Sequence, residues 1–464
     1  MFTATSSVAM NQTFLGYYRC PEFYADFRHS GQAGETRRGF FRLGPDLVCY
    51  GHCSTGTVAR AATDALHDVL PQVSIADSAC YLPYNLDELV TNFRREYYVP
   101  NGDQTANWKK LARSCYYRIR PLLGVSVRKH LQRAWLNRWD RKSFPGWPVD
   151  RTVDRIFEKA MLFSLKAHSV SRIPFIWFWP EGKSSCAVMT HDVESLAGLK
   201  FCDRLMDMDD SFGIKASFQL VPEERYPISD AILEDFRRRG FEVNVHDLNH
   251  DGHLFDQEDQ FRERARLINE YGRRFGSVGF RSGALYHNVE WYDALSFCYD
   301  MSVPNVAHLD PQPGGCCTIM PFFVDEVLEL PVTTIQDYSL FHVLTSYSIE
   351  LWQQQIQLIM QHHGLANFIV HPDYLDTAEA RNTYAGLLGH LALMREQQGL
   401  WIALPRDVNS WWRQRDQMRL VRQGTGWSIE GPNAEHARVA YASLSEDKLM
   451  YSLAGCSAER SATL

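Results

Sequence analysis

The chain reads as an α/β protein. From about residue 173 to 405 it carries parallel strands with helices outside them, as a barrel or a doubly wound sheet. Two observations predict this. Short apolar runs alternate with amphipathic helical patterns, and repeated β-then-α order forces the strands to run parallel. Several of those runs also end in polar residues, which is how a buried parallel strand delivers side chains to a cleft at its C-terminal end.

Residues 1–150 form the first expected domain, a small α+β region. Short aromatic and β-branched runs such as Gly39–Gly51 are punctuated there by Gly and Pro, and helices are expected at Thr57–Val69 and Asn85–Arg95. Its last part differs in composition. From Lys109 to Lys142, eleven basic residues stand against one acid, Asp140, with Trp135, Leu136 and Trp139 interleaved. Such a stretch is either a solvated helical face whose long stems pack on a neighbouring domain or a surface for anionic lipid or an acidic glycan. Pro145, Gly146 and Pro148 break the pattern and mark a linker before a helix at Val153–Ala167.

That helix opens the second expected domain, 151–412. Strands are expected at Ala187–Thr190, Lys215–Val221, Phe241–His246, Ser277–Arg281, Val327–Leu330, Asn367–His371 and Trp401–Leu404. Between them, Asp230–Arg239 is helical and stops at Gly240. Phe261, Ala265, Ile268 and Tyr271 keep helical spacing up to Gly276, and Trp352, Ile356 and Ile359 do so before Gly364. Asp376–Glu379 resembles a capping box opening a helix that ends near Gly399. A polar helix at Val408–Leu420 leads into a C-terminal extension, 413–464, with short strands in GWSIEG and ARVAYASL and a loose tail.

Composition bounds the function classes. Hydrophobic residues at 45% and charged residues at 22% describe an ordinary folded protein, and a net charge of −7 argues against a nucleic-acid binder. No apolar run approaches the ~20 residues of a spanning helix. No Lys or Arg precedes Arg19, so the basic start of an export signal is missing. Eleven scattered cysteines read as free thiols of a reducing compartment, so the expected location is cytoplasmic, with peripheral membrane contact through 109–142. Cys49, His52 and Cys53 lack a partner pair at a zinc-site spacing.

The chemistry is concentrated at the strand ends. One run leads to Thr190-His191-Asp192-Val193-Glu194, a later one to His246-Asp247-Leu248-Asn249-His250, the next to Arg281, another to Gln336-Asp337-Tyr338, and another to His371-Pro372-Asp373. Parallel strands put their C-terminal ends on one face, so groups this far apart in the chain can converge. Two imidazoles four residues apart with a carboxylate from another strand form a facial set that suits Zn²⁺ or a similar divalent ion. Taken singly, each piece has an ordinary structural explanation; Arg281 alone is an ion-pair partner and Asp192 alone a helix cap.

Thr190-His191-Asp192, then His246-x-x-x-His250, Arg281, Asp337 and Phe368-x-x-His371 resemble, in this order, the motifs of the polysaccharide deacetylases, the NodB-like carbohydrate esterases of family 4. The resemblance covers roughly residues 183–410. It implies a distorted, incomplete (β/α)-barrel and a divalent metal, zinc first, with cobalt, nickel or manganese as alternatives. It also implies hydrolysis of N- or O-acetyl groups on sugars. By motif, His246 and His250 bind the metal and Asp192 is the general base. Arg281 orients Asp192, and His371 is the general acid, tuned by Asp337.

Two positions depart from the family pattern. Val193 stands where a second aspartate normally binds the metal, so either Glu194 or Asp192 supplies the third ligand. Strand alternation, which puts residues 192 and 194 on one side, favours Glu194. Arg281-Ser282-Gly283-Ala284 replaces Arg-x-Pro-aromatic, with Tyr286 as the nearest substitute for the aromatic wall. The expected reaction is metal-assisted removal of an acyl group from a sugar, nucleotide- or lipid-linked. The alternatives are hydrolysis of a non-sugar C–N bond on the same barrel, or a non-catalytic module that binds carbohydrate or glycolipid.

Overall fold

A computed structural model of the chain describes residues 11–30, 37–54, 57–100, 139, 142–446 and 448–455. The basic stretch 109–142 lies, apart from Trp139 and Lys142, outside the described residues, as does the tail beyond Gly455. The chain divides into two compact units: residues 1–98, 151–182 and 411–464 make one, and 99–150 with 183–410 the other. The expected linear division had its boundaries at 150 and 412; in the structure 151–182 and 411–464 group with the N-terminal stretch. The strand Val439–Ser445 pairs antiparallel with Arg172–Ile176, and Lys448–Leu453 with Val439–Ser445, which draws the C-terminal extension into the first unit.

The second unit is built on one sheet. Its strands are β1 (Ser185–Val193), β2 (Ala216–Leu220), β3 (Glu242–His246), β4 (Gly279–Arg281), β5 (Tyr299–Asp300), β6 (Phe322–Val324), β7 (Val327–Glu329), β8 (Leu365–Ile369) and β9 (Leu400–Ala403). Their order is β6-β7-β5-β4-β3-β2-β1-β8, and β9 lies against the first half of β1. Every pairing is parallel except the β6–β7 hairpin. The helices are α1 (Leu196–Ser211), α2 (Asp230–Arg238), α3 (Glu258–Phe275), α4 (Glu350–Gln361) and α5 (Ala378–Gln398). This β-then-α order with helices outside is the expected mixed α/β architecture.

The barrel is incomplete where β7 should meet β8. No ladder joins them among the described residues. The segment after β7 is tied across by side chains instead: Thr333 Oγ1 donates to Leu365 O at 2.6 Å, Thr334 Oγ1 to Asn367 O at 2.8 Å, and Asn367 Nδ2 to Leu330 O at 2.9 Å. Polar groups that cannot enter a ladder are satisfied this way rather than left bare.

Most elements follow the sequence expectation within a few residues. Three corrections stand out. Thr57–Val69 is not a helix; Ala59 bridges Phe40 and Val69 N–H donates to Arg42 O, so the segment runs beside a strand. The strand before His371 ends at Ile369, so His371 stands just past it. The cap of α5 is Thr377, whose side chain accepts from Ala380 N–H, rather than Asp376. All described cysteines are free thiols, and only Cys298 is exposed. Among the described residues no helix is long and apolar enough to cross a membrane.

Candidate active site

Strand β1 sets the geometry. Period-two alternation turns His191 towards the helices and Thr190, Asp192 and Glu194 towards the barrel interior. His191 is fully buried and bonds Val370 O at 3.0 Å and Asp209 Oδ2 of α1 at 3.1 Å, so it is a structural residue. Val193 is buried and gives its carbonyl to Tyr226 O–H.

Arg281, at the end of β4 and wholly buried, reaches across the interior. Its Nη1 donates to Thr190 Oγ1 at 2.6 Å and to Asp192 Oδ1 at 2.8 Å, while Nε donates to Met301 O. Burial alone opposes ionisation of Asp192; the Arg281 guanidinium, helped by His246 and His371, outweighs it and holds the carboxyl below its ordinary range. Asp192 is therefore a carboxylate with one oxygen committed to Arg281. Its Oδ2 stands 3.8 Å from His246 Nε2.

Glu194 Oε1 lies 3.0 Å from His250 Nε2, 3.9 Å from His246 Nε2 and 3.6 Å from His371 Nε2. One carboxylate oxygen thus stands among three imidazole nitrogens. Ligand atoms of Glu194, His246 and His250 all lie within 4.8 Å of one another. His246 Nδ1 contacts Arg281 O at 3.2 Å, and because a carbonyl can only accept, Nδ1 carries a proton and Nε2 is the ring atom turned towards the carboxylates. Nε2 of His246 and of His250 are buried without a well-formed hydrogen bond. Two nitrogen donors and a carboxylate converging in this way fit a divalent cation. Burial opposes ionisation of Glu194, yet the imidazoles, His250 foremost, hold it well below the ordinary carboxylate range.

The loop of the second histidine is held tightly. Asp247 and His250 both have positive φ, 58° and 55°. The Asp247 carboxylate accepts from Leu248 N–H at 2.6 Å and Gly283 N–H at 3.1 Å. A Cβ on Gly283 would stand 2.5 Å from Asp247 Oδ2 and 3.0 Å from the His250 ring. The Ser-Gly-Ala departure after Arg281 thus makes room for an aspartate that the sequence reading passed over.

On the other side of Glu194, His371 Nδ1 bonds Asp337 Oδ1 at 2.6 Å, and its backbone N–H donates to Asp337 Oδ2 at 2.7 Å. Burial disfavours the imidazolium, but Asp337 and then Glu194 outweigh it and raise the pKa of His371 well above the ordinary value. Its Nε2 is left facing Glu194. All seven residues singled out in the sequence, Asp192, Glu194, His246, His250, Arg281, Asp337 and His371, converge here. Two more were missed. Asp247 hides between the two histidines of its motif, and Tyr374 follows His371 by three residues on the turn Pro372–Tyr374; a turn-forming proline after a site histidine was the available signal.

No protein-family model matches this sequence, and no curated protein matches it. Solved structures do resemble it in chain trace. A protein assigned as a polysaccharide deacetylase from Mycobacterium smegmatis is 18% identical, with TM-score 0.41, covering 51% of this chain and 93% of its own. PuuE allantoinase is 11% identical with TM-score 0.41, covering 51% and 92%. The Xyl-CE4 domain of a multidomain xylanase, from the hindgut metagenome of Trinervitermes trinervoides, is 14% identical with TM-score 0.33, covering 54% and 98%. Each covers about half of this chain, and the likeness assigns no substrate.

Proposed function

We propose that this chain is a metal-dependent hydrolase that removes an acetyl or similar acyl group from an N- or O-acylated sugar. The observation that carries the reading is the pairing of two devices around Glu194. Glu194, His246 and His250 offer a cation three donors, and on either side stand a carboxylate held ionised by Arg281 and an imidazole held protonated by Asp337. The sugar rests on the motif resemblance around Asp192, His246, His250, Arg281 and His371.

Glu194, His246 and His250 would hold the ion, zinc by its donor set. Bound there, it supplies Lewis-acid polarisation of the acyl group and a more acidic water. The protein's own groups do the rest. Asp192 takes a proton from the attacking water as its oxygen bonds to the acyl carbon and the carbonyl electron pair moves to the acyl oxygen. When that pair returns, the C–N or C–O bond breaks, its electrons leave with the nitrogen or oxygen, and His371 Nε2 gives that atom a proton. A carboxylic acid and a free amine or alcohol result. The directions of the two pKa shifts put base and acid in the forms this needs at neutral pH.

The test is metal content and acetate release measured together. His246→Ala and His250→Ala should lose both, and His371→Ala should keep the metal and lose turnover by about 10²–10⁴-fold. A His371→Ala enzyme of undiminished rate would refute the acid assignment. We further propose that the substrate is nucleotide- or lipid-linked and is met at a membrane surface through 109–142; vesicle binding that survives neutralising those basic residues would exclude that part.

A further inference from the structure

The turn after His371 is bound into the site from both ends. Asp373 Oδ1 accepts from Ser195 O–H and Oδ2 from Glu194 N–H at 3.4 Å, and Tyr374 N–H donates to His371 O at 3.1 Å. The Tyr374 ring is thereby folded back to 4.8 Å from the His371 ring. Tyr338 at 5.5 Å and His342 at 4.9 Å, the latter edge-on, pack against it and fix its direction.

Its hydroxyl is treated differently from the other inner tyrosines. Tyr226 donates to Val193 O, Tyr292 to Asp300, Tyr299 to Glu242 and Tyr384 to Asp209. Among the described residues, the Tyr374 hydroxyl has no hydrogen-bond partner, and the side chain is only partly buried. Burial first, then the Glu194 and Asp337 carboxylates, raise the pKa of this phenol well above its ordinary value, so it is a donor. A pinned, neutral donor whose ring packs on the acid, and whose hydroxyl has no protein partner among the described residues, is available to an oxygen of the reacting molecule.

We propose that Tyr374 is a further catalytic residue, whose hydroxyl donates a hydrogen bond to the acyl oxygen as that oxygen takes on negative charge. This rests on the reading of the site as an acyl-hydrolase centre. Such a donor acts on the transition state more than on bound substrate.

Tyr374→Phe keeps the ring and its packing and removes only the donor. In the zinc-loaded full chain, kcat for acetate release should fall about 10²-fold with KM and zinc content unchanged. Methylphosphonate, a tetrahedral oxyanion, should bind the variant about tenfold more weakly than the wild type, as befits loss of a hydrogen bond to a charged group. Unchanged kcat together with unchanged methylphosphonate affinity overturns the proposal. So does loss of zinc from the variant, which would place the hydroxyl in support of the metal instead. A wild type that releases acetate from no acetylated sugar counts against the sugar reading alone, because the methylphosphonate comparison still decides the role of Tyr374.

Discussion

Glu329 and Asp300 show how a carboxylate pair can be sorted inside a protein. They are register partners at the ends of β7 and β5 and both are buried. Asp300 receives Ser302 N–H at 2.7 Å, Ser302 O–H at 2.9 Å and Tyr292 O–H at 3.0 Å, whereas Glu329 receives Val303 N–H alone and keeps one oxygen unpartnered. Burial, and then Asp300, raise the pKa of Glu329 well above its ordinary value. The sign follows. Above the unfolded value the unfolded chain releases a proton that the folded chain keeps, so stability falls as pH rises from there to the folded value, by about 1.4 kcal/mol per unit. Glu329→Gln imitates the protonated acid and should remove that slope. It should raise the melting temperature at pH 8 and leave it unchanged at pH 4; an equal change at both would show that Glu329 is ionised when folded. At the same scale, the proposed metal centre predicts that Gly283→Ala costs zinc affinity about 10–100-fold, by pushing Asp247 and His250 out of place. Equilibrium dialysis of the variant measures it.

At the scale of elements, the sequence was most legible where one periodicity ran unbroken. β1, β2, β3, α2 and α3 were located because apolar runs, or amphipathic faces closed by Gly240 and Gly276, carry their own signals. β5 has two residues and β6 three, too few for a period to show. Thr57–Val69 had helix-forming residues but folds by bridging to Phe40 and Arg42, contacts that no local pattern encodes. The seven site residues were legible for a different reason: each stands at the end of a buried strand or in the segment after it, and strand ends share a face. Alternation, which puts Asp192 and Glu194 on one side, already favoured Glu194 beside the histidines, and the structure adds the reason Asp192 is held apart, its bond to Arg281. β4 carries the element-scale prediction. A Cβ on Gly279 would meet the Tyr299 ring at 2.2 Å, and that ring's hydroxyl bonds Asn244 and Glu242 in the barrel interior. Gly279→Ala should therefore destabilise the protein by about 1–3 kcal/mol, read as a lower urea midpoint at constant slope.

The whole molecule poses a problem of continuity, since the first unit is assembled from three separate stretches of chain. Arg415 shows what joins them. Its guanidinium is buried, with no carboxylate on it among the described residues, and donates to Gly16 O and Tyr17 O from the N-terminal stretch and to Ile176 O and Trp177 O from the middle one. Burial brings its pKa down to about 9, so it is still charged at neutral pH. A charge so placed is tolerated only because four carbonyls surround it, and those carbonyls lose their donors if it is removed. Arg415→Met keeps much of the apolar volume and removes every donor, at a cost of about 3–5 kcal/mol. The expected result in the intact chain is local. Hydrogen exchange should accelerate in Gln12–Tyr18, Arg172–Ile176 and Val439–Ser445, while β1 to β3, where protection comes from their own parallel ladders, should exchange at the wild-type rate and zinc content should hold. If exchange rises equally throughout both units, the chain unfolds as one cooperative body and Arg415 guards all of it. If only the three named segments respond, the residue is the tie that lets stretches hundreds of residues apart share one core.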